Sequence, residues 1–234
     1  FSLRSKNSFG IGEFSDLHLL TDWALQAKLR VIQVLPINDT TATHTWVDSY
    51  PYNAISIYAL HPIYLGLSGY RLKDEEKYKA YQGKATSLNQ LDAVNYTEVI
   101  KLKEQYISEL YAEIGNSILN SELFKQFYKQ NENWLVPYAY FCHLRDKFNT
   151  SKISDWGNYS VYDRYKLDNY ARDNTEVGNS INCVYFTQFL LHQQLTEAKE
   201  YAYSKGIALK GDIPIGISPN SVEAWTEPHL FNMD

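Results

Sequence analysis

The stretch Gly206–Ile207–Ala208–Leu209–Lys210–Gly211–Asp212–Ile213–Pro214–Ile215–Gly216 decides the fold. Gly206 marks a tight turn, and Ile207 to Leu209 read as a buried strand. Asp212 follows at its carboxyl end, and Pro214 stops the ladder. In α/β barrels, ligands and catalytic groups sit at the carboxyl ends of the strands, which makes Asp212 an active-site candidate. The plainer reading is an Asp that braces the loop or caps a helix.

Working outward, Val31–Ile32–Gln33–Val34–Leu35 is a second short apolar run, ended by Pro36. It reads as a strand buried on both faces, as parallel strands are. Residues 15–29 precede it with helical periodicity at Leu17, Leu19, Leu20, Trp23, Ala24 and Ala27. Ser15 is the expected N-cap, with Phe14 and Leu19 as a hydrophobic staple. Helix followed by buried strand is half of a βαβ repeat. A long polar loop runs from Asn38 to about Asn53, and residues 55–67 read as strand or extended structure broken at His61–Pro62. From about 95 to 205 the pattern is helical. Asn95 and Glu98 form a capping box, and Val99, Leu102, Tyr106, Leu110 and Ile114 share one face. Shorter helices are expected over 121–130 and 135–147, a loop-rich stretch over 150–180, and a last helix over 182–205.

The 234 residues are 44% hydrophobic and 21% charged, ordinary values for a globular chain able to bury a large core. The net charge of −5, without a basic run, argues against nucleic-acid partners. No apolar stretch is long enough to span a bilayer, so no membrane partner is expected. Cys142 and Cys183 form neither a disulfide framework nor a metal motif. They read as buried thiols in a reducing compartment, the cytoplasm. The start at Phe1 lacks both a Met and a signal-peptide core, and the end at Asp234 is abrupt, so a piece of a longer polypeptide is expected.

The six His are scattered without zinc-site spacing, and no nucleophile elbow or phosphate-binding loop occurs; Gly10–Ile11–Gly12 matches only part of a dinucleotide loop. No metal and no cofactor are expected. The 20 Tyr and 5 Trp suit a sugar-binding surface, because a flat ring stacks on the apolar face of a pyranose. Asp48–Ser49–Tyr50–Pro51–Tyr52 reads either as a Pro-stiffened turn or as a glycan subsite. Trp225 is either a core residue of a short helix or part of the cleft below the Asp212 strand. His44 and Trp46 read as loop-packing residues, and the tyrosines of 159–170 as half-buried structural aromatics.

Four stretches carry a family resemblance: Phe9–Gly10–Ile11–Gly12–Glu13–Phe14, Val34–Leu35–Pro36–Ile37–Asn38–Asp39–Thr40–Thr41, Asp48 through Ala59, and Gly206 through Trp225. In this order they resemble the 4-α-glucanotransferases, or amylomaltases, of glycoside hydrolase family 77, in the branch with plant cytosolic members. The resemblance implies an α/β fold, a partial (β/α)8 TIM barrel with a large α-helical insertion. Residues 1–69 would hold the first strands and loops, 70–180 the insertion, and 181–234 a helix plus the barrel strand ending at Asp212. Asp212 would order the donor sugar, and Ser49 and Tyr52 would hold the acceptor side. Asp48 and Trp225 complete the expected substrate-binding set. Tyr50 departs from the simpler Asp-Ser-Pro-Tyr pattern, and Asn220–Ser221 stands where many members have Asp-Ser.

Retaining transfer between α-1,4-glucans needs two carboxyl groups roughly 5 Å apart, one as nucleophile and one as acid/base. In the family these lie further along the chain than the Asp212 strand. No catalytic residue is therefore expected in this chain, which alone should be inactive. Expected partners are malto-oligosaccharides or glucan and the rest of the barrel. An uncovered barrel edge invites self-association. The competing reading is a noncatalytic glucan-binding module; a purely helical scaffold would leave Asp212 and the 49–52 loop without a role.

Overall fold

A computed structural model describes residues 3–232. Helix α1 (Asp16–Gln26) leads through a left-handed residue, Lys28, into strand β1 (Val31–Gln33). Ser15 makes no side-chain cap. The Asp16 carboxylate instead fastens the segment leading into the helix, accepting from Glu13 N at 2.9 Å and Ser8 Oγ at 2.8 Å. The expected staple is also absent, because Phe14 turns inward to stack on Tyr64 while Leu19 stays exposed.

β1 pairs in parallel with β2 (Ala208–Lys210), in the register Val31–Ala208, Ile32–Leu209 and Gln33–Lys210. The sheet has these two strands only, among the described residues. Burial on both faces is not found. Ile32 packs with Ala24, Ala202 and Ile207, but Val31 is 51% exposed. One layer of helix covers the pair, and nothing among the described residues covers the other face.

Residues 55–67 form no strand. An isolated bridge joins Asn38 to Leu60, and Pro62–Tyr64 makes a 3-10 turn. The backbone here is paired partly with residues 37–39, through Ile55 N to Asp39 O, Asp39 N to Ala59 O and His61 N to Ile37 O, and partly with side-chain amides, which answers the requirement that buried peptide groups be paired. Gln188 accepts from Leu60 N at 2.9 Å and donates to Leu60 O at 2.7 Å. Gln194 does the same for Gly66, at 2.8 Å both ways.

The remaining helices are α2 (Glu75–Asn89), α3 (Tyr96–Leu119), α4 (Glu122–Phe148), α5 (Arg164–Asp173), α6 (Thr175–Ser204) and the short α7 (Val222–Thr226). Each of α2 to α6 starts on a polar cap: Asp74, Asn95, Ser121, Asp163 and Asn174. α2 was not legible in the sequence, since its apolar stripe is thin and only Ala85 is buried. α4 is one helix where two were expected. Pro137 sits inside it, and the run Leu135–Cys142 is wholly buried, so packing outweighs the lost backbone hydrogen bond. α6 begins well before 182, capped by Asn174 Oδ1. Its residues Val177, Ile181, Tyr185, Phe186, Phe189, Leu190 and Leu191 lie in the helical core, and Ala202 lies under the strands. The core is rich in aromatics, with Trp156, Tyr106, Tyr138, Phe141 and Phe186 fully enclosed.

Candidate functional site at the strand ends

Parallel pairing puts the carboxyl ends of β1 and β2 on one edge, where the loop after β1 meets the segment after β2. Two buried aspartates shape that loop from within. Asp39 accepts from Thr41 N and Oγ1 through Oδ1, and from the Tyr138 hydroxyl through Oδ2 at 2.7 Å. Asp48 accepts from Thr43 N at 2.9 Å and Thr43 Oγ1 at 3.0 Å. Its carbonyl accepts from Thr40 Oγ1 and Tyr96. A 3-10 turn, Trp46–Ser49, then delivers the chain to Tyr52.

The Tyr52 hydroxyl donates to Asp212 Oδ2 at 2.8 Å, across 160 residues of sequence. Asp212 Oδ1 accepts from Ile213 N at 3.0 Å. The hydrogen bond to Asp212 raises the Tyr52 pKa, so the phenol stays a neutral donor. The Tyr50 ring lies 5.6 Å from that of Tyr52 and is largely exposed. Ser49 is half-buried at the end of the 3-10 turn. The structure thus joins Tyr52 to Asp212, with Ser49 and Tyr50 on the same loop.

Two other candidates stand apart from that cluster. Asp48 is buried and its carboxylate is spent on Thr43, so it holds the loop and offers nothing to a sugar hydroxyl. Trp225 is buried among Phe141, Trp156 and Tyr162, and its Nε1 donates to Tyr159 O at 3.1 Å. Its face is covered by other rings, so it is a core residue and no stacking platform.

Three polar groups near the loop were given no site role in the sequence: Glu223, His61 at the expected chain break, and His44, read there as loop packing. Glu223 Oε1, on α7, accepts from Ser56 Oγ at 2.8 Å and Ile57 N at 3.1 Å, fastening the chain just after Tyr52; burial raises its pKa. His61 Nδ1 accepts from Ile63 N, so Nε2 carries the proton and donates to Tyr96 Oη at 2.7 Å. Burial lowers the His61 pKa and keeps the ring neutral, despite Asp39 at 3.5 Å. His44 lies between Glu104 and Asp146. The Asp and Thr content of the loop signalled its internal turns, but no local pattern marks Glu223, whose partners are some 166 residues away.

A cleft of about 670 Å³ opens elsewhere, between α3, α4, α6 and the turn at Thr41–His44. Size favours that cleft. Chemistry favours the strand ends, where a carboxylate, a phenol and an exposed ring converge. Among the described residues, no group of three or more His, Cys, Asp or Glu is arranged to hold a metal ion, and no helix is long and apolar enough to cross a membrane.

Parallel strands under one helical layer, with an acidic group at their carboxyl edge, define the front of an α/β barrel with an inserted helical block. Comparison with known proteins gives the family. All of residues 1–234 match the glycoside hydrolase family 77 description, 4-alpha-glucanotransferase, and the chain belongs to that family. It is 42% identical over 236 residues to the 4-alpha-glucanotransferase DPE2 of Oryza sativa subsp. japonica, covering 100% of this chain and 25% of that protein. It is 34% identical to the 4-alpha-glucanotransferase of Chlamydia muridarum, covering 99% of this chain and 43% of that one. An amylomaltase from Streptococcus agalactiae, solved in complex with acarbose, superposes with a TM-score of 0.75 at 23% identity, over 97% of this chain and 44% of that chain. The chain therefore spans less than half the length of these relatives. The fold is a partial (β/α)8 barrel with a large helical insertion.

Proposed function

We propose that this chain supplies the substrate-ordering front of a 4-α-glucanotransferase, an enzyme that disproportionates α-1,4-glucans by a retaining double displacement. The observation that carries the reading is the Tyr52–Asp212 hydrogen bond at the carboxyl edge of the parallel strands. In this reading Asp212 orders the donor sugar, and Tyr52, Ser49 and the exposed Tyr50 ring hold the acceptor. A sugar on that side, in place of water, is what turns hydrolysis into transfer. Acarbose, the ligand of the Streptococcus agalactiae amylomaltase, is the natural probe.

Retention needs a second carboxyl group roughly 5 Å from the first. In this reading Asp212, held by the Tyr52 phenol, orders substrate and is neither member of that pair, and the nucleophile and the acid/base belong to the remainder of the barrel. That remainder is also the partner expected to cover the bare face of β1 and β2. The two free thiols agree with a reducing compartment, the cytoplasm.

The test is calorimetric titration of the chain with acarbose and maltotriose, beside a transfer assay on maltotriose. Binding without transfer is expected, with affinity reduced about tenfold by Tyr52→Phe or Asp212→Asn. Glucosyl transfer by this chain alone would refute the division of labour. Binding indifferent to both substitutions would move the sugar site elsewhere and favour a noncatalytic glucan-binding module.

A further inference from the structure

One of the ties between the loop that carries Ser49 and Tyr52 and the helical block is an imidazole held between two carboxylates. His44 Nδ1 lies 2.6 Å from Glu104 Oε1 on α3, and Nε2 lies 2.9 Å from Asp146 Oδ1 near the end of α4. A neutral imidazole has one N–H and one lone pair, so it satisfies only one such contact. The doubly protonated ring donates to both, and each bond is charge-assisted.

Arg145 completes the arrangement. Its Nε and Nη2 bind the two oxygens of Asp146 at 2.6 and 3.1 Å, and its Nη1 donates to Thr41 O at 2.7 Å. Both ends of the Thr41–His44 turn are thus fastened to α4. His44 is itself left-handed, with φ of 57°, a conformation uncommon outside glycine although histidine adopts it more readily than most. The contacts of its ring offset the remaining cost. Just downstream, Trp46 N donates to Thr97 Oγ1 at 3.0 Å, and Asp48 closes the turn on Thr43.

We propose that His44, as an imidazolium, is a positioning residue for the 45–52 loop: it clamps that loop to α3 and α4 at once, and loss of its proton removes one of the two ties and loosens the loop, which the Arg145–Thr41 and Trp46–Thr97 bonds continue to hold in part. The proposal rests on the reading of that loop as a glucan-binding element.

The surroundings of the ring favour its charge. Glu104 faces it from α3, Asp146 and Arg145 from α4, and Glu176 of α6 lines the same cleft. Asp39 and Asp48 face inward on its own loop. Burial pushes the thiols of Cys142 and Cys183 in that cleft up to about 12 and about 11, so neither adds a charge near neutrality. The hydrogen bond to Asp146, then that to Glu104, raises His44 to about 9 against the opposing effects of burial and Arg145. Burial works against the Asp146 carboxylate, but Arg145 and His44 outweigh it and hold its pKa low. A raised histidine pKa places the clamp fully in force below the ordinary value of about 6.5 and removes it as pH rises through about 9.

The experiment follows two readouts on the chain between pH 7 and 10. One is the NMR titration of the His44 ring, with the indole N–H resonance of Trp46 reporting on the loop. The other is calorimetric affinity for maltotriose. Expected are a ring protonated on both nitrogens at neutral pH, a midpoint near 9, a Trp46 shift that follows it, and an affinity loss of about threefold or more by pH 10. His44→Arg keeps the charge and several donors, so its affinity should stay flat with pH. His44→Gln should be weak throughout and show the shifted Trp46 resonance already at pH 7. A ring midpoint near 6.5, or His44→Gln behaving as the parent protein does, overturns the proposal. If no form binds maltotriose, the glucan reading of the loop fails and the Trp46 resonance alone decides the clamp: a shift near pH 9 sustains it, and no shift ends it.

Discussion

Trp156 and Ile32 are both buried, yet their surroundings differ in kind. Trp156 is enclosed by Phe141 and Trp225, within a core drawn from α3, α4, α6 and the segments packed on them. Ile32 has Ala24, Ala202 and Ile207 around it, and the other face of its sheet is bare. Val31, Leu35, Ile213 and Ile215 all expose apolar surface along that layer. The helical block satisfies itself, whereas the strand layer is half of something. The sugar-ordering residues of the proposed site lie where the incomplete layer meets the complete one, so their geometry depends on both.

The largest expected effects break the helical side. Lys103 and Glu13 form an ion pair with both side chains almost wholly enclosed, and Lys103 also donates to Leu65 O at 2.7 Å. Burial lowers the Lys103 pKa and raises that of Glu13, with their mutual attraction opposing both shifts. Lys103→Met leaves a buried carboxyl without its cation and should destabilise by about 3–5 kcal/mol in urea unfolding. Trp156→Ala should cost a similar amount, about 3–5 kcal/mol. Ile32→Ala should cost less, about 2 kcal/mol, because the strand layer has fewer neighbours to lose. Equal losses for Trp156→Ala and Ile32→Ala would mean that the two regions unfold as one unit, and the contrast would fail.

The next effect tests the bare face directly. Light scattering of the chain should show concentration-dependent self-association, driven by the apolar strand layer and its unpaired edges. Val31→Lys with Ile215→Asp should return it toward a monomer, and the same number of charges placed on exposed α2 positions should not. A clean monomer of the unaltered chain at high concentration would show that the layer is covered in some other way.

These regions also differ in how far the sequence discloses them. The face of α3, with Val99, Leu102, Tyr106 and Leu110, was legible because burial there follows the helical period. So were both short strands and the turn residues of the 38–53 loop. What was not legible depends on partners far away in sequence. Residues 55–67 look like a strand because they are apolar and β-branched, but they pair with residues 37–39 only in part, and Gln188 and Gln194, each 128 residues distant, take up the peptide groups of Leu60 and Gly66. Pro137 looks like a helix break until the buried run around it is seen in place. Asp48, Tyr52, Asp212 and Trp225 all drew attention as single residues. Only the fold separates the Tyr52–Asp212 pair from an aspartate spent inside a turn and a tryptophan sealed in a core.

The smallest effect sharpens the comparison most. Each region contains a left-handed residue that is not glycine at the end of a helix: Lys28 after α1, with φ of 59°, and Asn149 after α4, with φ of 53°. Asparagine tolerates this conformation and is a common helix terminator, so Asn149→Gly should change stability by less than about 0.5 kcal/mol. Lysine does not, so Lys28→Gly should relieve strain and gain about 0.5–1 kcal/mol, reduced somewhat by the extra freedom glycine has when unfolded. Where that gain registers is the informative part. If the strand layer opens by itself, slower hydrogen exchange at Ile32 and Val34 amides will report it, and the global melting temperature will barely move. If the melting temperature takes up the full gain, the layer is held until the helical block goes, and the small cluster around Ile32 is stronger than its size implies.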